Sequence, residues 1–195
     1  RTFNIANNTD GTTFDASFAS IDNTGTFNVT DANNFISGAI DTSGALSVQA
    51  NDINVGAVTV NTGSPVVLNA TNTLNIAQLN NIWGGGAEID IAATDIKVGD
   101  ISHSGAGSVN IGVLDNLNAT GNIENSGNLM RVNASGADIV VDGTMKNDEG
   151  NMIVKAQSLT VKGGDANNAS FVNSGLLTID VAGETNLANG FSLVV

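Results

Sequence analysis

Cysteine and tyrosine are absent from this chain of 195 residues, and proline occurs once. Without cysteine there is no disulfide framework, no thiolate nucleophile and no thiolate metal site. Aromatic residues are only 4%, and six lysines and arginines stand against nineteen aspartates and glutamates, a net charge of −13. No cation at all lies between Thr2 and Ile96. Binding a nucleic-acid backbone needs clustered cations, as does an anionic membrane surface, so both partners are excluded. No run of about 18 apolar residues exists to insert in a bilayer as a helix. The chain opens at Arg1 with neither methionine nor a signal peptide, so its true beginning is expected to have been removed.

What is present is equally one-sided. Asparagine occurs 29 times and glycine 23 times, while hydrophobic residues reach 41%, mostly Val, Ile, Leu and Ala. That is too apolar for disorder. Charged residues are only 13%, so the polar surface must be built from Asn, Thr, Ser, Asp and Gly. These short side chains compete for the backbone and favour turns over helices. The composition predicts β-structure with very many turns.

A phrase recurs. Ile123 to Gly143 reads IENSGNLMRVNASGADIVVDG, and its apolar residue, polar triplet and glycine return from Ile101 and again from Met145. Segments aligned this way open at Ile21, Ile40, Val58, Leu79, Ile101, Ile123, Met145 and Phe171, in steps of 19, 18, 21, 22, 22, 22 and 26 residues. The last, longer step predicts a loop inserted at GGDANNAS, residues 163–170. Within each segment apolar residues alternate, as in Ile139 and Val141 or Leu46 and Val48, which marks strands with one buried face. Each strand is expected to span three to five residues, bounded by Gly, Asn, Asp or Ser.

Very short strands recurring with a steady period describe a coil that stacks on itself. The reading is all-β: a right-handed, single-stranded parallel β-helix (β-solenoid) of 18–22 residues per coil and eight to nine coils, filling residues 1–195 as a single domain. Handedness follows from the preference of parallel crossovers. Ile123 would lie on a first side, Leu129 to Val132 on a second and Ile139 to Val141 on a third, with Ser126-Gly127 and Gly136 at or near the corners. Asparagines can stack turn on turn, each amide bonding its copies. An antiparallel sandwich, the alternative, has no reason to keep a fixed register.

The phrases TSGALSVQANDINVG (Thr42 to Gly56), NSGNLMRVNASGADIVVDG (Asn125 to Gly143) and NSGLLTIDVAG (Asn173 to Gly183) resemble the β-helical shafts of bacterial surface exoproteins. The nearest likeness is to filamentous-haemagglutinin-like adhesins of two-partner secretion, followed by autotransporter passengers. The resemblance implies a secreted, extracellular protein at the bacterial cell surface. Its role would be a structural shaft that attaches to a receptor or glycan on a host or neighbouring cell, or that presents other domains. The family's secretion module is not visible, so the chain is expected to be a fragment of a longer solenoid.

Other classes leave thinner traces. A polysaccharide-active β-helix enzyme needs converging carboxylates and a base. The best local set is Glu88, Asp90 and Asp95, with Asp100 beyond and Arg131 and Lys155 as strand-borne cations. Glu88 and Asp90, alternating with Ile89 and Ile91, read as outward and solvated, so the expectation is no enzyme, no catalytic residue, no cofactor and no metal. His103, the lone histidine, is expected in a turn position homologous to Asn125 and Asn147. Gly84 to Ala92 departs from the calcium nonapeptide in spacing. Trp83 reads as a plug beside glycines, with a sugar-stacking ring as the alternative. Thr-x-Thr pairs at Thr71/Thr73 and Thr24/Thr26 are too few for an ice-binding ladder. The six N-glycosylation sequons (Asn7, Asn28, Asn69, Asn118, Asn133, Asn168) are about what chance gives in so asparagine-rich a chain.

The ends differ from the middle. Five of seven phenylalanines precede or fall within the first coils, residues 1–36: Phe3, Phe14, Phe18, Phe27 and Phe35. They predict a broad first turn or an aromatic stack inside the coil. At the other end FSLVV carries no polar cap, which opens either continuation of the solenoid or end-to-end self-association into a filament or surface layer.

Overall fold

The computed structural model describes residues 1–6, 13–82 and 85–194. Trp83, Gly84, Asn7 and Val195 lie outside the described residues. In chain order the strands are β1 (Thr2–Ala6), β2 (Phe14–Asn23), β3 (Thr26–Thr42), β4 (Ala45–Val60), β5 (Val66–Asn81), β6 (Glu88–His103), β7 (Ser108–Ala119) and β8 (Ile123–Asn125). They continue as β9 (Leu129–Val141), β10 (Met145–Asn147), β11 (Asn151–Val161), β12 (Phe171–Asn173), β13 (Leu176–Val181), β14 (Thr185–Leu187) and β15 (Phe191–Leu193). There is no helix among the described residues.

Every pairing between these strands is parallel and joins one turn to the next. The residues that open the repeats in the sequence stand in one column. Ile21 pairs with Ile40, and the register continues through Val58, Leu79, Ile101, Ile123, Met145 and Phe171 to Phe191. The protein is therefore a β-solenoid of about nine turns. Neighbouring turns sit about 4.8 Å apart, the spacing at which each turn's amides find the carbonyls of the turn below.

One turn shows how the coil closes. β8 forms the first side, and β9 carries both the second and the third. The bend between those two falls in Ser135–Ala137, where the ladder to β11 shifts register. Strands are consequently longer than the period suggests, up to 17 residues in β3. The corner between the second and third sides is a bulge in continuous extended backbone, not a turn that ends a strand. The corner between the first and second sides does end one, and glycine is required there. A Cβ on Gly44 would sit 1.9 Å from the Gly25 carbonyl oxygen directly beneath it.

Inside, alternation sends one residue in two to the core. On the second side Leu46, Val66, Ile89, Val109, Met130 and Met152 form a buried column. Phe35, Ile53, Leu74, Ile96, Leu117, Ile139 and Leu159 form its counterpart on the third. Four of the five early phenylalanines make ring contacts: half-exposed Phe3 lies over Phe27 with ring centroids 5.2 Å apart, and Phe18 meets Phe27 at 5.6 Å and buried Phe35 at 5.8 Å. Residues 163–170 leave the coil between β11 and β12. There Asp165 Oδ1 accepts from the Asn167 and Asn168 amides at 2.7 and 3.0 Å.

Because Ile101 pairs with both Leu79 and Ile123, deleting Ile101 to Asn122 removes one turn in phase. The shortened protein is expected to unfold in one transition with a midpoint lowered by only a few degrees. Deleting Ile101 to Ile111 alone puts first-side residues on the wrong side and is expected to abolish the β-sheet circular dichroism spectrum.

Candidate functional site

The polar side chains that the fold positions most tightly are inside it. Two residues after each opener, at the end of the first side, a second column reads Asn23, Thr42, Val60, Asn81, His103, Asn125, Asn147, Asn173. Apart from Val60 these are buried polar groups, and burial is costly unless each finds partners. Asn125 Nδ2 donates to Asn147 Oδ1 at 2.8 Å, and Asn147 Nδ2 donates to Asn173 Oδ1 at 2.7 Å. The same amides also hold the corner of the following turn: Asn23 Nδ2 reaches the Ala45 carbonyl at 2.8 Å, and Asn147 Nδ2 reaches that of Leu176 at 3.1 Å.

His103 occupies this column, in register with Asn125 as the sequence implies, but it is not in a turn. It ends β6 with its ring fully buried. Inward alternation places it there, since His103 stands two residues after the buried Ile101. Asn81 Nδ2 lies 3.1 Å from its Nδ1, so in the neutral ring Nδ1 accepts and Nε2 carries the proton. Nε2 and Asn125 Oδ1, neighbours in the column, both lack a hydrogen-bond partner among the described residues. Burial lowers the His103 pKa below its ordinary 6.5, and the nearby Gly107 backbone opposes this only in part.

On the outside of the third side a different column carries acids. It reads Asp15, Asn34, Asp52, Thr73, Asp95, Asn116, Asp138, Ser158, with an aspartate in every second turn. Each aspartate accepts from the neutral residue of the next turn: Asn34 to Asp15 at 2.8 Å, Thr73 to Asp52 at 2.5 Å, Asn116 to Asp95 at 3.0 Å and Ser158 to Asp138 at 2.6 Å. The Thr73 hydroxyl above all, joined by the Asn72 amide, holds the Asp52 carboxyl below its usual range, against the opposing cost of burial. Like charges stacked at one strand spacing repel, and interleaving a donor removes that repulsion.

The acids singled out in the sequence are thereby dispersed. Glu88 and Asp90 face outward on the second side, either side of buried Ile89. Asp95 lies beyond the bend, on the third side, bonded to Asn116. Asp100 accepts from the Asn122 amide at 2.8 Å where the first side begins. Among the described residues no group of three or more His, Asp or Glu is placed to hold a metal ion.

The second side does bring Asp90 and Arg131 together in a groove. Three adjoining depressions of about 310, 440 and 420 Å³ meet at Asn133. Their floor follows an outward column from Asn69 through Ala92 and Gly112 to Asn133 and Lys155. The next column, Asp90, Asn110, Arg131, walls one flank. A Cβ on Gly112 would meet nothing closer than 3.8 Å, so the floor has room above it. Asn110 Nδ2 donates to Asp90 Oδ1 at 2.9 Å. Arg131 makes no hydrogen bond or ion pair among the described residues. Lys146 and Lys162, by contrast, bond Asp148 and Asp142 at 2.9 and 2.8 Å.

Fold and columns together define a β-solenoid with a polar ladder inside and a side-chain groove outside. No protein-family model, curated protein or solved structure matches the chain.

Asn147→Ala removes both ladder bonds and leaves Asn125 and Asn173 buried with lost partners. It is expected to cost about 2–3 kcal/mol by urea denaturation. For His103 the folded state favours the neutral ring, so below about pH 6.5 the unfolded chain binds the extra proton. Stability is present in full above that pH and is lost as pH falls through the depressed folded value. His103→Asn is expected to remove that loss, seen as a flatter dependence of the urea midpoint between pH 7 and pH 5. An unchanged slope would show that His103 does not titrate with folding.

Proposed function

We infer that the chain is a structural shaft of an exported bacterial surface protein, serving attachment or the display of other domains. The observation that carries this reading is the unbroken column from Ile21 to Phe191, which extends the coil along one axis turn upon turn. Stiffness along an axis is what such stacking supplies, because every turn is bonded to both neighbours along its sides. The resemblance of the Asn-Ser-Gly phrases to filamentous-haemagglutinin-like and autotransporter shafts supports the same role and the same extracellular place. A solenoid whose outer polar groups are mostly asparagine, serine and threonine, with few cations, also suits a surface meant to stay hydrated and to avoid nucleic acid. The function so assigned is mechanical, and chemistry on a substrate forms no part of it.

Antibodies raised against the folded protein are expected to label intact, unpermeabilised cells of the bacterium that encodes it. Labelling that appears only after permeabilisation would place the protein inside the cell and end this reading.

A further inference from the structure

We propose that the groove on the second side binds an acidic oligosaccharide, with Arg131 clasping a sugar carboxylate. The starting point is the charge on Arg131. In a protein of net charge −13, Lys146 and Lys162 are each bonded to an aspartate, and Lys155 lies 4.0 Å from Asp180. Arg131, like Lys97 elsewhere on the coil, has no such partner among the described residues, but Arg131 lines this groove, where its neighbours in the column are Asn110 and Ile153. A guanidinium presents a planar fork of donors that matches a carboxylate in two parallel bonds. Lys155 lies one turn further along and one column across, at the far end of the same groove.

The rest of the groove suits hydroxyl groups. Asn133 at the meeting point of the depressions and Asn110 on the flank can each donate and accept, while Asp90 and Ser135 accept or share protons. The small floor of Ala92 and Gly112 lets a ring approach the sheet closely. An acidic peptide is the less suitable ligand. Extended peptides dock by adding to a free sheet edge or by seating apolar side chains in pockets. Here the backbone is consumed by parallel pairing on both sides of each strand, so the groove offers no free sheet edge. Recognition must therefore pass through side chains on the face of the sheet.

This proposal deepens the attachment reading by naming the partner class. Its test needs only purified protein, so it stands or falls separately from surface labelling. Trigalacturonate, neutral galactotriose and a hexaglutamate peptide are titrated into ¹⁵N-labelled protein while backbone amide shifts are followed. Trigalacturonate is expected to move the amides of Gly112, Arg131 and Asn133, with galactotriose weaker by about tenfold or more. Arg131→Ala should weaken trigalacturonate binding by about tenfold, and Arg131→Lys, which keeps the charge but not the fork, by several-fold. Gly112→Val fills the floor without touching a charge and should weaken binding comparably, with an unchanged far-ultraviolet spectrum. The proposal is overturned if trigalacturonate moves none of these amides, if galactotriose binds as well, if hexaglutamate binds more tightly, or if Arg131→Ala binds as the parent does.

Discussion

Everything in this protein depends on one constraint: each turn must present its backbone to the next at a single strand spacing, in register, along the whole axis. Parallel pairing satisfies the amides and carbonyls only if residue after residue falls in the same column. That requirement explains why glycine stands at the first corner, where Gly44 lies against the Gly25 carbonyl with no room for a side chain. It explains the inner columns of Val, Ile, Leu and Met, which are side chains of similar size repeated where the space above and below is fixed. It also sets the problem that the acidic surface must solve. A carboxylate in every turn would face its own kind about 4.8 Å away, so Asp15, Asp52, Asp95 and Asp138 alternate with Asn34, Thr73, Asn116 and Ser158.

The buried polar column answers a different need. A purely apolar coil could slip by two residues along a side, which keeps every side chain on its own face, since Val, Ile and Leu interchange at little cost. Asn125, Asn147 and Asn173 cannot slip without orphaning amides in the interior, where unpaired polar groups cost most. Buried asparagine therefore trades stability for register, as a single buried asparagine does in a coiled coil. His103 is the weak rung of this ladder. It keeps the shape and position of the column, yet it leaves Nε2 and Asn125 Oδ1 unmatched and introduces a group that charges on acidification.

Most of the fold was legible in the sequence because the constraint acts on sequence position. The openers from Ile21 to Phe171, aligned by phrase alone, are the residues that pair in space, including the steps of unequal length. Strand lengths were less legible, because a bulged corner leaves no consistent residue type behind: Thr71-Asn72, Val113-Leu114-Asp115 and Ser135-Gly136 share nothing but position. The side chain of His103 was misplaced for a related reason. Polar residues beside Ser-Gly read as turn, and only the alternation from Ile101 shows that the position points inward. The alternating acids could have been found by aligning the residue just before each third-side apolar pair, as in Asp52-Ile53, Thr73-Leu74 and Asp95-Ile96. The groove could not, because it depends on which outward columns lie side by side once the coil is closed.

These columns also show where individuality can reside in a repetitive protein. Inward positions answer to the turns above and below, so a change there must suit both neighbours at once. Outward positions answer to solvent, to charge and, where a donor and an acceptor meet, to the next turn, and so can differ more freely from turn to turn without disturbing the axis. On the second side one outward column runs Val67, Asp90, Asn110, Arg131, Ile153 while the inner column beside it stays aliphatic or methionine throughout. Repetition builds the solenoid, and a departure from repetition on its surface is what a partner can recognise. Arg131 is such a departure: a cation without an acid, in a column whose other residues are neutral or acidic, beside a floor that glycine keeps open.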